Sequence, residues 1–363
     1  MVSEPTAAAI FHGRGRDDQI SVVYDFGGGT FDVSVVDSSL GVYEVLSTDG
    51  DTFLGGEDFD LRLQSHVLMK LGIAGETLTG LTLRRLKDAC EYAKIELCDQ
   101  ASTEITVPAE IVARGRPSQM VIDRSVLEEI TQDIVQKTLD ICGRALSIAG
   151  REGPQGGRSP LKVTAVDNVF LVGGTTHLPF VEERVAAYFG RVPIAGPRRE
   201  DAVVLGCALQ AAVLSGESRQ SGLLIDTIPF SIGIETASGL IARLIDRQTS
   251  IPCINSEAFV IRGAAPPTVA IRLFQGEADF AKDCAFLCSF ELELGADIAT
   301  DFAVVEVTAD VDAGGKLTVT AVDKMTERFV SHVVNVTEFE GLSKSSVSVL
   351  TPLKYHGVVR LPT

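Results

Sequence analysis

The sequence predicts an α/β region over residues 1–216 and an all-β sandwich over 228–340, joined by a linker at 217–227 and followed by a tail at 341–363. Three observations carry this reading. The apolar period shifts from strand-like to helical after Glu57 and stays mixed as far as Leu214. A polar segment, Gly216-Glu-Ser-Arg-Gln-Ser-Gly222, then interrupts the pattern before Leu223-Leu224-Ile225. From Ile228 to about Val336 only short alternating runs appear, and none has the length and period of an amphipathic helix.

Taken in order, three β-rich segments run from Gln19 to about Ser47, broken at Gly27–Gly29 and at Asp37–Gly41, which predicts an antiparallel meander. Helical periodicity follows from Glu57 to about Leu71 and from Leu83 to Leu97. It is clearest from Ser125 to Ala149, where Leu127, Ile130, Ile134, Ile141, Ala145 and Ile148 share one face. A Gly/Pro-rich loop at Gly150–Ser159 leads to a buried strand, Asn168–Val172, that runs into Gly173-Gly174. Helices are expected from about Pro179 to Phe189 and from Asp201 to Leu214. In the second region, Phe302–Thr308 and Lys316–Ala321 read as strands joined through Asp312-Ala-Gly-Gly315. The tail from Gly341 shows no convincing periodicity.

At 363 residues, with 45% hydrophobic and 22% charged residues, the chain has the composition of a globular protein large enough for two or three cores. Its net charge of −17, with no long Lys/Arg cluster, argues against nucleic-acid and anionic-membrane partners. The seven cysteines are scattered without a Cys-x-x-Cys pair, and the five histidines stand too far apart to suggest a zinc site. No apolar stretch reaches the ~20 residues of a membrane span, and the N-terminus lacks a basic-then-apolar order. A cytoplasmic setting is therefore expected, and the Asn335-Val-Thr337 sequon reads as a chance match.

The segment Val23-Tyr-Asp-Phe-Gly-Gly-Gly-Thr-Phe-Asp-Val-Ser-Val-Val36 sets three glycines between two strands, with Asp25 and Asp32 on either side. Such a turn exposes backbone N–H groups without Cβ obstruction and suits a phosphate. The flanking carboxylates suit a magnesium ion held through its waters, and Thr30 adds a hydroxyl. A plain bulged hairpin remains the alternative. A second glycine pair, Gly173-Gly174, ends a buried strand before a helix, the usual place for ligands in α/β sheets. Neither a P-loop nor a Gly-x-Gly-x-x-Gly helix opening is present, so a nucleotide would need another architecture.

Glu4-Pro-Thr-Ala-Ala-Ala9, Asp25-Phe-Gly-Gly-Gly-Thr-Phe-Asp32, Leu54-Gly-Gly-Glu-Asp-Phe-Asp60, Leu171-Val-Gly-Gly174 and Ile228-Pro-Phe-Ser-Ile-Gly-Ile-Glu-Thr236 resemble the seventy-kilodalton heat-shock (DnaK-type) chaperones, in that family's order and as far as about Leu342. The resemblance implies the second lobe of an actin-like (ribonuclease H-like) nucleotide-binding domain, a hydrophobic linker and a β-sandwich that grips extended peptides of unfolded proteins. It implies ATP or ADP with Mg2+ as cofactor, and co-chaperones as further partners. Gly27, Gly28, Gly29 and Thr30 would hold the β- and γ-phosphates. Asp25 and Asp32 would organise magnesium and the attacking water, with Glu4 in the same shell; Asp25, Thr30 and Glu4 are the implied catalytic residues. Gly56, Glu91, Lys94, Cys98, Gly173, Gly174, His177 and Glu200 would complete the nucleotide site. Helix spacing places Glu91 and Lys94 on one face, and a solvent-exposed i,i+3 pair is the alternative. Ile234, Ala237, Phe259, Arg262 and Val269 would line or arch over the peptide, with plain sandwich core as the alternative for Ile234, Phe259 and Val269.

This sequence departs from the pattern in several places. Met1-Val-Ser-Glu4 corresponds to the start of the family's second lobe, and no Asp-x-Gly-Thr-Thr element precedes it, so a half cleft, weak nucleotide binding and no turnover are expected. His177 stands where an adenine-stacking arginine is usual, Cys98 where serine is, and Glu200 where aspartate is. Ala237 and Arg262 alter the arch, and no helical lid follows Gly341-Leu-Ser-Lys344. Two other expectations stand beside the chaperone: a non-enzymatic interaction or scaffold module, and a fragment of a full-length ATP-dependent chaperone.

Overall fold

The computed structural model describes residues 4–13, 18–39, 42–74, 77–152, 158–196, 199–215, 223–262, 268–294, 302–335 and 358–360. The chain divides into two compact units, one running to Leu223 and one from Leu224 onward.

The first unit runs α1 (Glu4–Gly13), β1 (Gln19–Phe26), β2 (Phe31–Ser39), β3 (Val42–Asp51), α2 (Gly56–Lys70), α3 (Gly80–Asp99), β4 (Ser102–Thr106), α4 (Ala109–Val112), β5 (Gln119–Asp123), α5 (Arg124–Ile148), β6 (Arg151–Glu152), β7 (Arg158–Ser159), β8 (Asn168–Val172), α6 (Pro179–Phe189), β9 (Ile194–Ala195) and α7 (Ala202–Leu214). Its main strands lie in the order β3-β2-β1-β8-β9, antiparallel through the meander and parallel from β1 to β8 to β9. Alternation along β1 and β2 sends side chains to both faces, and both faces are covered. On one side Tyr24, Phe26 and Phe31 pack with Phe59 of α2 and with Leu127, Ile134, Ile141 and Ala145 of α5. On the other, Val23, Val36, Phe170 and Val172 meet Ala8 and Ala9 of α1 and Ala202 of α7. The architecture is mixed α/β.

The apolar face of α5 is wider than the spacing alone indicates. Ile130 and Ile148 are only half-buried, while Thr131, Val135, Thr138, Leu139, Cys142 and Leu146 are buried. Thr138 belongs to that face because its hydroxyl bonds the Tyr24 phenol at 2.6 Å, satisfying two polar groups inside the core. Helix α1 and the β4–β5 hairpin were not legible as elements. Helix α1 is held by small residues: a Cβ on Gly206 of α7 would overlap the Ala7 backbone.

The second unit contains β10 (Leu223–Thr227), β11 (Ile232–Glu235), β12 (Ile241–Ile245), β13 (Ser250–Ile251), β14 (Cys253–Arg262), β15 (Thr268–Gln275), β16 (Ala285–Glu293), β17 (Phe302–Val311), β18 (Lys316–Asp323), β19 (Phe329–Asn335) and β20 (Val358–Arg360). One sheet has the order β12-β11-β15-β16, and another β19-β18-β17-β14-β20. Ile234, Phe259, Ile261, Val269, Ile271, Val305, Val307 and Val319 fill a single core. Among the described residues of this unit no α-helix occurs, and β17 turns into β18 through Asp312–Gly315.

Two expectations need correction. The apolar end of the predicted linker is a strand: Leu223–Thr227 forms β10, and Asp226 and Thr227 pair antiparallel with Ile251 and Ser250 of β13. The rest of that linker, 217–222, lies outside the described residues. The tail is not without regular structure either, since Val358–Arg360 pairs with β14. Three residues are too few to show a period. Among the described residues no helix is long and apolar enough to cross a membrane.

Candidate functional site

The parallel pairing of β1 with β8 sets Asp25 beside Val172, so the Gly27 turn and the Gly173 turn leave the sheet side by side at the C-terminal ends of their strands. The register of β1 on β2 runs without a slip to Phe26 opposite Phe31, and Gly27 N–H donates to the Thr30 carbonyl at 3.0 Å. The turn is therefore a two-residue hairpin loop, not a bulge. Gly28, Gly29 and Thr30 are exposed, and a Cβ on Gly28 or Gly29 would meet open space.

The start of α2 braces this loop. Gly56 N–H donates to the Gly27 carbonyl at 3.0 Å and Glu57 N–H to the Gly28 carbonyl at 2.7 Å. A Cβ on Gly55 would overlap Gly28 and Gly29, so only glycine allows this approach. The Thr175 hydroxyl donates to the Gly27 carbonyl at 2.8 Å. Gly173 has φ 84°, and a Cβ there would overlap the Phe26 carbonyl; both reasons require glycine. The two glycine turns and the helix N-terminus thus form one rigid wall.

Asp25 and Asp32 face each other across the hairpin. Burial, then Asp32, then Glu4 push the Asp25 carboxyl up to about 7. Burial pushes Asp32 up to about 6; a hydrogen bond from Thr30 opposes the rise and Glu4 adds to it. Glu4, in the first turn of α1, lies within electrostatic reach of both. Two half-buried carboxylates that repel each other are a site short of positive charge. Their oxygen donors and the Thr30 hydroxyl fit a hard divalent cation such as magnesium, and the open glycine loop fits the phosphates it would accompany. Among the described residues no cluster of three or more His, Cys, Asp or Glu is placed to hold a metal ion.

Lys94 does not stand free on the face of α3. Its ammonium lies 2.8 Å from Asp60 and donates to the Gly56 carbonyl at 3.0 Å; the two side chains are 12% and 2% exposed. Burial raises the Asp60 carboxyl, with Lys94 acting against it. Glu91 is exposed, so the i,i+3 partnership gives way to a buried pair linking α3 to α2. Asp60 was missed as a site residue, although a signal existed. It falls on the buried stripe of α2 with Gly56, Phe59, Leu63 and Val67, and a carboxylate there needs a cation.

Cys98 is half-buried, its thiol 3.6 Å from the Lys94 carbonyl, and burial raises its pKa. His177 Nε2 lies 3.0 Å from Glu200 Oε1, which joins two residues predicted separately. Beneath them Arg199, also unforeseen, donates to the Thr176 carbonyl and pairs with Glu182 at 2.6 Å, fixing the turn after Gly174. Glu200 is also the side chain nearest a Cβ on Gly174, at 3.7 Å. The structure thus brings Gly27–Thr30, Asp25, Asp32 and Glu4 together at one end of the wall, and Gly173, Gly174, His177 and Glu200 on the turn beside it. Gly56 and Lys94 form the joint between α2 and α3.

In the second unit, Ile234, Phe259 and Val269 are enclosed in the sandwich core, with 2%, 1% and 5% exposure. That burial agrees with core packing, the alternative left open for them. Ala237 is exposed in the turn between β11 and β12. Arg262 ends β14, and its side chain lies outside the described residues.

A family model described as Hsp70 protein matches residues 1–352 of the 363-residue chain, taking in both glycine turns and every strand of the sandwich but β20. With a match of that extent, the chain belongs to the Hsp70 protein family.

Proposed function

We propose that the first unit binds ADP or ATP with magnesium and that the sandwich takes extended apolar peptides of unfolded proteins, so that the chain serves as a nucleotide-linked chaperone. Hsp70 membership supports the coarser statement, a chaperone that binds nucleotide and peptide. The single observation carrying the finer one is the facing pair Asp25 and Asp32, raised to about 7 and about 6 beside an exposed, helix-braced glycine turn. The phosphates would lie along Gly27–Thr30, and Gly173, Gly174, His177 and Glu200 would border the nucleoside. When bound, magnesium neutralises phosphate charge; Asp25 and Asp32 hold its waters, and Glu4 sets how readily they ionise.

His177 replaces a stacking arginine and Cys98 a stronger hydrogen-bonding hydroxyl, so affinity is modest. Losing ~3 kcal/mol of contacts costs roughly two decades of Kd, which places binding weaker than about micromolar. Calorimetric titration with ADP and with ATP, each with and without magnesium, tests this. Magnesium-dependent binding that disappears in Asp32→Asn is the expected result. Binding indifferent to both magnesium and Asp32 would remove the phosphate-end assignment.

A second reading, a non-enzymatic interaction module, is favoured by the complete burial of Ile234, Phe259 and Val269. A Val269→Phe variant separates the two. Loss of binding to an apolar heptapeptide, with the sandwich still folded, supports a peptide pocket. Unchanged binding supports the module.

A further inference from the structure

The second glycine turn continues as a short 3-10 turn, Gly174–His177, that leads into α6. Its entry is pinned from within. Thr176 gives its N–H, at 3.2 Å, and its hydroxyl, at 2.6 Å, to the Gly173 carbonyl, while the Thr175 hydroxyl holds the Gly27 carbonyl. Its exit lacks such support. In a 3-10 turn the Thr176 carbonyl would accept from the residue three positions on, and that residue is Pro179, which has no N–H. Thr176 is fully buried, so its carbonyl needs a donor from the protein.

Arg199 is that donor. One end of its guanidinium gives to the Thr176 carbonyl and the other pairs with Glu182 of α6 at 2.6 Å, so a single side chain spans the turn and the helix that follows it. The next residue, Glu200, meets His177 Nε2 at 3.0 Å. Consecutive residues thus hold consecutive positions of the turn. Arg199 also stands within electrostatic reach of α3: burial raises the Cys98 thiol, and Arg199, with Lys94 and Arg124, works against the rise. Its Nε is buried with no acceptor among the described residues. Such a donor costs stability, so holding the fold together is not what this side chain does best.

We infer that Arg199 is a positioning residue for nucleoside binding: without touching the ligand, it fixes the Gly174–His177 turn against α6, so that His177 and Glu200 border the nucleoside at one set place. This deepens the nucleotide reading proposed above and rests on it. Lysine cannot substitute, since one ammonium lacks the planar fork that reaches a carbonyl and a carboxylate in different directions. The phosphate end is braced separately, by α2 and by Thr175. Loss of Arg199 therefore acts on one end of the ligand and spares the other.

The test uses the full chain, with Arg199→Met, Arg199→Lys and Glu182→Gln, and three probes in the presence of magnesium: ADP, adenosine and inorganic pyrophosphate. Adenosine reports on the nucleoside end and pyrophosphate on the phosphate end. Calorimetric titration should show ADP and adenosine binding roughly tenfold weaker to Arg199→Met, the scale of one hydrogen bond to a charged group, with pyrophosphate unchanged. Hydrogen exchange without ligand should show the Leu178 amide, which donates to the Thr175 carbonyl at 3.3 Å, losing protection in the same variant. Arg199→Lys should recover only part of the affinity, and full recovery overturns the two-point hold. An equal loss for pyrophosphate overturns the inference, because a general loosening of the first unit weakens all three probes alike. ADP and adenosine binding untouched by Arg199→Met overturns it and leaves the nucleotide reading standing. A parent chain that binds pyrophosphate as tightly as ADP, and adenosine not at all, overturns the nucleoside assignment and this inference with it. Should Arg199→Met fail to fold, Glu182→Gln, at a side chain 34% exposed, carries the same comparison. Adenosine about threefold weaker with pyrophosphate unchanged is then the expected result, and unchanged adenosine binding overturns the inference.

Discussion

Asp25 and Asp32 are raised above the ordinary carboxylate value, so the folded protein holds their protons more tightly than the unfolded chain does. Stability from this source is present at low pH. It is lost as pH rises from about 4, where unfolded carboxyls ionise, through about 6 and about 7, where the folded ones do. Asp25→Asn should therefore raise the melting temperature by a few degrees near pH 8, by relieving on the order of 1–2 kcal/mol, and change it little near pH 4. The same variant should lose the stabilisation that magnesium and ADP give the parent, which scanning calorimetry at the two pH values reads directly. Lys94 and Asp60 behave differently because they satisfy each other. Lys94→Ala should cost about 3 kcal/mol in urea unfolding, since it leaves a carboxylate buried without its partner. Lys94→Met combined with Asp60→Leu should recover most of that loss. A Lys94→Ala cost below about 0.5 kcal/mol would place Lys94 at the surface. The sequence displayed these residues but not their pairing. Lys94 was legible as a charged helix position, whereas a partner thirty-four residues away on another helix follows only from how α2 and α3 pack.

At the scale of elements, α2, α3, α5 and α6 were legible from a period of about 3.6, and the meander, β8 and α7 as apolar runs bounded by glycine or polar residues. Helix α1, β4, β5 and β20 were not. Helix α1 is alanine-rich and buried by its neighbours, β4 and β5 have five residues each, and β20 exists only by pairing with a strand almost a hundred positions earlier. The glycine turns were visible as composition, but their different duties were not. Gly55 is required by the close approach of α2 to the hairpin, while Gly29 faces open space. Gly55→Ala should thus destabilise the first unit by several kcal/mol, since backbone must move to admit the Cβ. Gly29→Ala should leave chemical unfolding within about 1 kcal/mol of the parent and still weaken ADP binding, because its Cβ would project where phosphate is proposed to lie. Equal effects of the two substitutions on stability would contradict this division of labour.

For the molecule as a whole, a net charge of −17 governs which partners approach. A labelled twenty-base DNA or RNA strand at physiological salt should show no anisotropy change up to about 10 μM protein, in the range where non-specific binders with basic faces respond. Saturation in that range would reveal a basic surface that the sequence does not display. The same acidity matters for the strand held on β14. A segment that docks onto its own sheet edge can dock equally onto the edge of a neighbouring molecule, and that contact is head-to-tail: each chain gives one strand and receives another. Nothing in such an exchange closes a ring by necessity, so it propagates as a linear polymer. Like charge on every subunit and the millimolar local concentration of the tethered strand both hold the exchange back. High salt together with high protein concentration should therefore join separate chains into filaments at β14, each chain wearing the next one's Val358–Arg360 strand.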